Sequence, residues 1–125
     1  EIKKEQLKNI IVRCNVNNSE LNELYNFAHA LLYPSSYEGF GIPIIEAMKC
    51  KLPVLLSDIP TNHEIAQNAA HYFKTSDEEN LAEQILKLLN DSQRKDELIE
   101  KGYERSLFFN WRKTATETLS VYENL

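Results

Sequence analysis

The residues best suited to chemistry lie in one stretch, Pro34-Ser-Ser-Tyr-Glu38-Gly-Phe-Gly41-Ile-Pro43-Ile-Ile-Glu46-Ala-Met48. Gly39 and Gly41 permit backbone conformations and close approach to a ligand that a Cβ would forbid. Pro43 fits the first position of a helix, where its missing N–H costs nothing. The amides around Gly41 to Ile45, together with the positive end of that helix, would then form an anion site that needs no lysine from this segment. Glu38 precedes the glycines and Glu46 lies about one turn into the helix. Carboxylates flanking a phosphate pocket suit the acceptance of hydrogen bonds from hydroxyls, and sugars and ribose offer them. A hydrogen bond to a charged acceptor contributes roughly 1.5–3 kcal/mol. On spacing alone a second reading stands equally: Glu46 favours the helix N-terminus and Glu38 is solvated.

A loop of this kind works only if strands and helices hold it, and the flanking pattern supplies them. Asn9–Arg13 (NIIVR) reads as a strand, and Ser19 as the cap of a helix with Leu21, Leu24, Tyr25 and Ala28 along one face. Ala30–Pro34 is a second strand, stopped by proline; the helix opened by Pro43 runs to about Lys51. Pro53–Ser57 (PVLLS) is apolar until its last residue, as expected of a strand covered by helices on both faces. A turn at Asp58–Pro60, a short helix near Asn62–Ala66 and a strand at Ala70–Phe73 follow. Ser76 with Glu79 fits a capping box before a helix bearing Leu81, Ala82, Ile85, Leu88 and Leu89. Asp91 or Ser92 caps the next helix, which ends near Gly102 or a few residues later. Asn110 caps the last, whose stripe of Trp111, Ala115, Thr118 or Leu119, and Tyr122 reads as core. Strands alternating with helices imply an α/β domain with an open parallel sheet of the doubly wound type, and ligands bind such sheets beyond the strands' C-terminal ends.

Composition excludes several classes. With 125 residues, 42% hydrophobic and 26% charged, the chain has the length and balance of one globular domain, not of a disordered tail or a coiled coil. A net charge of −5 has the wrong sign for non-specific grip on nucleic acid. No apolar run reaches the ~18 residues of a membrane helix. Cys14 and Cys50 read as reduced buried thiols of a cytosolic protein, and His29, His63 and His71 lack metal-ligand spacing. His29 reads as packing at a helix-to-strand join and His63 as part of a turn. The chain begins Glu-Ile-Lys-Lys, without Met, and is read as a piece of something longer.

The segment PSSYEGFGIPIIEAMKCKLPVLLSD resembles the donor-site signature of the retaining nucleotide-sugar glycosyltransferases of family 4, the glycosyltransferase group 1 family. The likeness continues through Ile59-Pro60, Glu64-Ile65-Ala66, Phe109-Asn110-Trp111 and Val121-Tyr122. Its most specific element is Glu-x7-Glu enclosing Gly-Phe-Gly-x-Pro. The resemblance implies the C-terminal, donor-binding half of a two-domain GT-B fold: residues 1–125 as one Rossmann-like domain, incomplete at its N-terminus. It implies that Glu38 contacts the transferred sugar's hydroxyls as the catalytic-site acid, without serving as a nucleophile. Gly39, Phe40 and Gly41 would line sugar and diphosphate, and Ile42, Pro43 and Ile44 would supply the helix start that meets the diphosphate. Glu46 would bond the ribose hydroxyls.

The activity so implied is transfer of a sugar, a hexose such as mannose, from a nucleotide-diphosphate donor to an acceptor hydroxyl with retention, in polysaccharide or glycoconjugate synthesis. In the family an Arg and a Lys upstream of the present Glu1 clamp the diphosphate, and a separate N-terminal domain binds a sugar or lipid-linked acceptor. This chain by itself is therefore expected to show little activity. No Asp-x-Asp occurs, so neither a metal nor another cofactor is expected. The implied location is cytoplasmic, peripheral at the inner membrane face through the other domain, with homodimers through an exposed last helix. The alternatives are a sugar-nucleotide epimerase of the same fold and a non-catalytic nucleotide-sugar-binding module or split subunit.

Overall fold

The computed structural model describes residues 15–125. The expected strand at 9–13 and Cys14 lie outside the described residues. Three short strands, β1 (Leu31–Tyr33), β2 (Val54–Ser57) and β3 (His71–Phe73), form one parallel sheet in the order β1-β2-β3. Leu32 pairs with Leu55 and Leu56 with Tyr72, so β2 is central. Helix α1 (Asn18–Phe27) precedes the sheet. Helix α2 (Ile42–Lys49) crosses from β1 to β2, and α3 (Pro60–Ala66) with a 3-10 turn (Gln67–Ala69) crosses from β2 to β3. Helices α4 (Glu78–Asn90), α5 (Ser92–Leu107) and α6 (Trp111–Glu123) complete the chain.

Strand alternation divides the core. Val54 and Leu56 face Ile44, Met48, Ile65 and Ala66 of α2 and α3. Leu55 and Phe73 meet Leu88 of α4 and Leu98 of α5, with Leu81 and Ile85 alongside. Helices therefore cover both faces, and β2 is buried at every residue. The inner line of α4 is Leu81, Ile85 and Leu88; Ala82 and Leu89, expected on that face, are exposed. Helix α5 continues past Gly102 and ends at Leu107, a few residues later as the sequence allowed. Gly102 is buried where α5 meets α2, and a Cβ there would stand 3.3 Å from Met48 Cγ. Its glycine serves close helix approach, not termination.

Two capping assignments resolve differently from the sequence. Asn17, not Ser19, caps α1: its Oδ1 accepts from the amides of Ser19 (2.9 Å) and Glu20 (3.1 Å), while Glu20 Oε2 accepts from the Asn17 amide at 2.8 Å. The reciprocal box needs an acidic side chain three residues on, which Asn17 has and Ser19 lacks. Asn17→Ala is expected to lower stability by about 1 kcal/mol, read as a shifted urea midpoint with an unchanged slope. Asp77, not Ser76, caps α4, accepting from the Asn80 amide at 2.8 Å. Ser76 has a left-handed backbone (φ 61°) and does not adopt the extended geometry of a cap. Asp91 caps α5 and Asn110 caps α6, as the sequence implied.

The stripe of α6 is not core. Trp111 is 76% exposed and Tyr122 71%. His29 is exposed, not packed. Among the described residues no helix is long and apolar enough to cross a membrane.

Candidate functional site

The loop from Pro34 to Gly41 leaves β1 at its C-terminal end and turns directly into α2. Two side chains from the neighbouring crossover fasten it. Ser57, at the end of β2, donates its hydroxyl to the Ser35 carbonyl and accepts from Asn62 Nδ2 at 3.1 Å. Asn62 is completely buried and also donates to the Ser57 carbonyl at 2.9 Å. Thr61 Oγ1 donates to the Glu38 carbonyl at 3.1 Å. The backbone carrying Glu38 is thus set by the start of α3, more than twenty residues further along the chain.

Gly41 is the N-cap of α2, with φ 91° and ψ 52°. Ile42 is the first helical residue, so Pro43 occupies the second position, one later than expected; its missing N–H remains costless there because the first turn's amides have no intrahelical partner. Ile44's amide donates to the Gly41 carbonyl at 3.0 Å, and its side chain is fully buried. This corrects the expected cradle. Ile44 secures the helix start from inside the core, and its amide is already engaged. The amides of Gly39, Phe40, Gly41 and Ile42 donate to no group among the described residues. They are the donors left for an anion at the positive end of α2. Phe40 stands edge-on to Phe109, with ring centroids 5.7 Å apart, tying the loop to the segment before α6. Arg105 in turn lies over the Phe109 ring at 4.8 Å and donates to the Ile65 and Glu64 carbonyls at the end of α3.

The two carboxylates have separate settings. The nearby hydroxyls of Tyr33 and, secondarily, Ser35 hold the Glu38 carboxyl below the usual range, and the side chain is partly exposed. Burial, then the nearby Glu38 carboxylate, push the Tyr33 phenol up to about 12. Tyr33→Phe is expected to return the Glu38 titration towards an ordinary glutamate, visible by NMR of the carboxyl carbon. The interaction favours the folded state above the unfolded carboxyl's pKa and is lost as pH falls through the lowered folded value. At alkaline pH the sign reverses for the phenols. Stability from neutral Tyr25, Tyr33 and Tyr72, each at about 12, is complete below 10 and lost as pH rises through 12.

Glu46 is exposed on α2 and accepts the Tyr25 hydroxyl of α1 at 3.1 Å. It borders two hollows. One, of about 160 Å³, lies between α2 and the start of α6, with Phe40, Ile42, Lys49, Phe109 and Trp111 in its walls. The other, of about 350 Å³, lies between α1 and α2, lined by Asn18, Leu21, Asn22, Tyr25 and Cys50. Cys50 is only partly buried, and burial followed by the Glu46 charge raises its thiol pKa. His63 is a residue of α3, not of a turn, with its Nε2 2.6 Å from Asp58 Oδ1 and its ring stacked on Tyr72.

Residues 1–105 match the family model described as glycosyl transferases group 1. The chain belongs to the glycosyl transferases group 1 family. Among the family's relatives, the O-antigen chain mannosyltransferase B of Escherichia coli is 33% identical over 110 residues, 88% of this chain and 29% of its own. The structure of sucrose-phosphate synthase from Thermosynechococcus elongatus superposes with a TM-score of 0.85 at 27% identity, covering 95% of this chain and 31% of that one. Anabaena HepE, solved in complex with UDP and glucose, shares the fold with a TM-score of 0.75 at 20% identity, over 82% of this chain and 29% of that one. The chain thus spans about three-tenths of the length of each. Its parallel sheet and flanking helices are the Rossmann-like arrangement of the C-terminal half of a group 1 GT-B enzyme.

Sequence reasoning missed the residues that set this site: Tyr25, Tyr33, Thr61, Ser57 and Asn62. Tyr25 was readable only as one of an apolar helical stripe. Tyr33, last in β1 and five residues before Glu38, carried the one local signal.

Proposed function

We propose that residues 1–125 form part of the donor-binding domain of a retaining glycosyltransferase that takes a nucleotide-diphosphate sugar and transfers the sugar to an acceptor hydroxyl. The observation that carries this reading is the left-handed cap at Gly41, with a row of amides, Gly39 to Ile42, that donate to no group among the described residues, at the start of α2 between two acidic side chains. In the reaction the acceptor oxygen bonds to the anomeric carbon, the bond from that carbon to the diphosphate breaks, and the acceptor proton passes to the departing phosphate or solvent. Negative charge grows on the diphosphate as it leaves. Fixed amides at a helix end stabilise that charge without reorganising, which is the efficient electrostatic arrangement. Glu38, ionised through its hydroxyl partners, accepts hydrogen bonds from the sugar and orients it, and Glu46 accepts from the ribose. Gly39 and Phe40 line the sugar, Gly41 and Ile42 face the diphosphate, and Pro43 and Ile44 hold the helix start.

The bound UDP and glucose of HepE support a nucleotide-sugar donor, and the Escherichia coli relative's name supports a mannosyl one. The diphosphate clamp from upstream, an acceptor bound by another domain, a cytoplasmic, membrane-peripheral site and pairing through the exposed α6 stripe belong to the same reading. No metal is assigned a role. The test is a titration of the intact protein with GDP-mannose and UDP-glucose, followed by amide NMR. One of the two should move the Gly39, Phe40, Gly41 and Ile42 resonances together. Saturable binding that leaves all four unmoved overturns the reading.

A further inference from the structure

Glu46 lies where the two hollows meet, and only one of its oxygens is engaged. Oε2 accepts the Tyr25 hydroxyl at 3.1 Å, and among the described residues no group donates to Oε1. An exposed glutamate on a helix ordinarily samples several rotamers, and holding it in one costs conformational entropy at each binding event. A hydroxyl that fixes one carboxylate oxygen removes much of that cost and aims the other. Tyr25 is built to act this way. It is half-buried, packs against the core around α2, and stands on a helix whose start is locked by the Asn17–Glu20 box. With burial and the Glu46 charge raising its phenol to about 12, it remains a donor across the working pH range.

We infer that Tyr25 is a positioning residue for donor recognition: its hydroxyl pins Glu46 Oε2 so that Oε1 is presented to the ribose diol of the nucleotide. The inference rests on the reading of Glu46 as the ribose acceptor. It makes α1, which contributes no fully buried residue to the core, part of the binding site through one contact between residues 21 positions apart.

The experiment measures binding of UDP and GDP, and of their 2′-deoxy analogues, to the intact protein and to Tyr25→Phe, Glu46→Gln and the double variant. The wild-type protein should favour the ribose form of its preferred diphosphate by about tenfold, the value of one charge-assisted hydrogen bond. Glu46→Gln should bring that ratio close to one, and Tyr25→Phe to about threefold. The double variant should bind as Glu46→Gln does, because Tyr25 acts through Glu46. A Tyr25→Phe protein that keeps the full ratio, or that weakens ribose and deoxyribose forms alike, overturns the inference and leaves the contact as a fastening of α1 to α2. A double variant clearly weaker than Glu46→Gln also overturns it, since loss of α1 docking would then be the cause. A ratio untouched by Glu46→Gln overturns instead the ribose reading of Glu46.

Discussion

Glu38→Gln is expected to lower kcat of the intact glycosyltransferase by about 10²-fold or more, with a much smaller change in the donor KM. The substitution keeps size and shape but removes the charge, and it converts one accepting atom into a donor. The Tyr33 hydroxyl beside it favours the ionised carboxylate, so a glutamine would turn its single carbonyl oxygen towards Tyr33 and leave its NH₂ towards the proposed sugar position. If Glu38 orients the sugar as proposed, the sugar hydroxyls then lose their acceptor, and the anomeric carbon shifts from the line joining acceptor oxygen and leaving group. A misplacement of about 1 Å at a reacting centre costs about 10²-fold. Because Glu38 is partly exposed and outside the core, stability should stay within about 1 kcal/mol of wild type, which separates lost chemistry from lost fold. Steady-state kinetics with labelled donor give the answer. Full turnover by Glu38→Gln would remove Glu38 from the reaction centre. Glu46→Gln supplies the contrast, with donor KM rising and kcat nearly kept.

Gly41→Ala is the second large effect, and it acts on the fold and the site together. At φ 91° an L-residue meets its own carbonyl, at a cost of about 1–2 kcal/mol. The added Cβ would also stand 2.9 Å from Ile44 Cδ1. That side chain is fully buried between the helix and the sheet, so it has no solvent to swing into, and overpacking adds about 1–3 kcal/mol. The sum, about 2–5 kcal/mol, should appear in urea unfolding. Any relief by backbone rotation turns the Gly41 and Ile42 amides away from the proposed diphosphate position, so donor affinity should fall as well. Gly39→Ala is the control: no heavy atom lies within 4 Å of its would-be Cβ, and its φ is not in the left-handed region. Equal stability of the two variants would mean that the left-handed cap is not what shapes the cradle.

Much of the fold was legible because its signals are local. The apolar run Pro53–Ser57 required cover on both sides, and its residues do divide between two helical layers. The caps at Asp91 and Asn110 followed from residue type alone. The errors have local causes too. Ser19 and Ser76 are good cap residues placed near better ones, Asn17 and Asp77. The apolar stripe of α6 carries the period of a buried helix, yet burial depends on a partner surface, which a periodic pattern does not contain.

Sequence by itself determined the order of elements, the glycine turn into a proline-started helix, and the two glutamates to either side of it. These depend on φ/ψ preferences and side-chain periods that act over a few residues. Tertiary structure alone decided that the Tyr25 hydroxyl holds Glu46. It also decided that Ile44's amide is engaged and that Thr61 and Ser57 set the loop. The interactions of Tyr25, Thr61 and Ser57 join groups more than twenty positions apart. They exist because parallel strands need crossovers that carry distant side chains to the same sheet end, and no local pattern encodes which of them will meet.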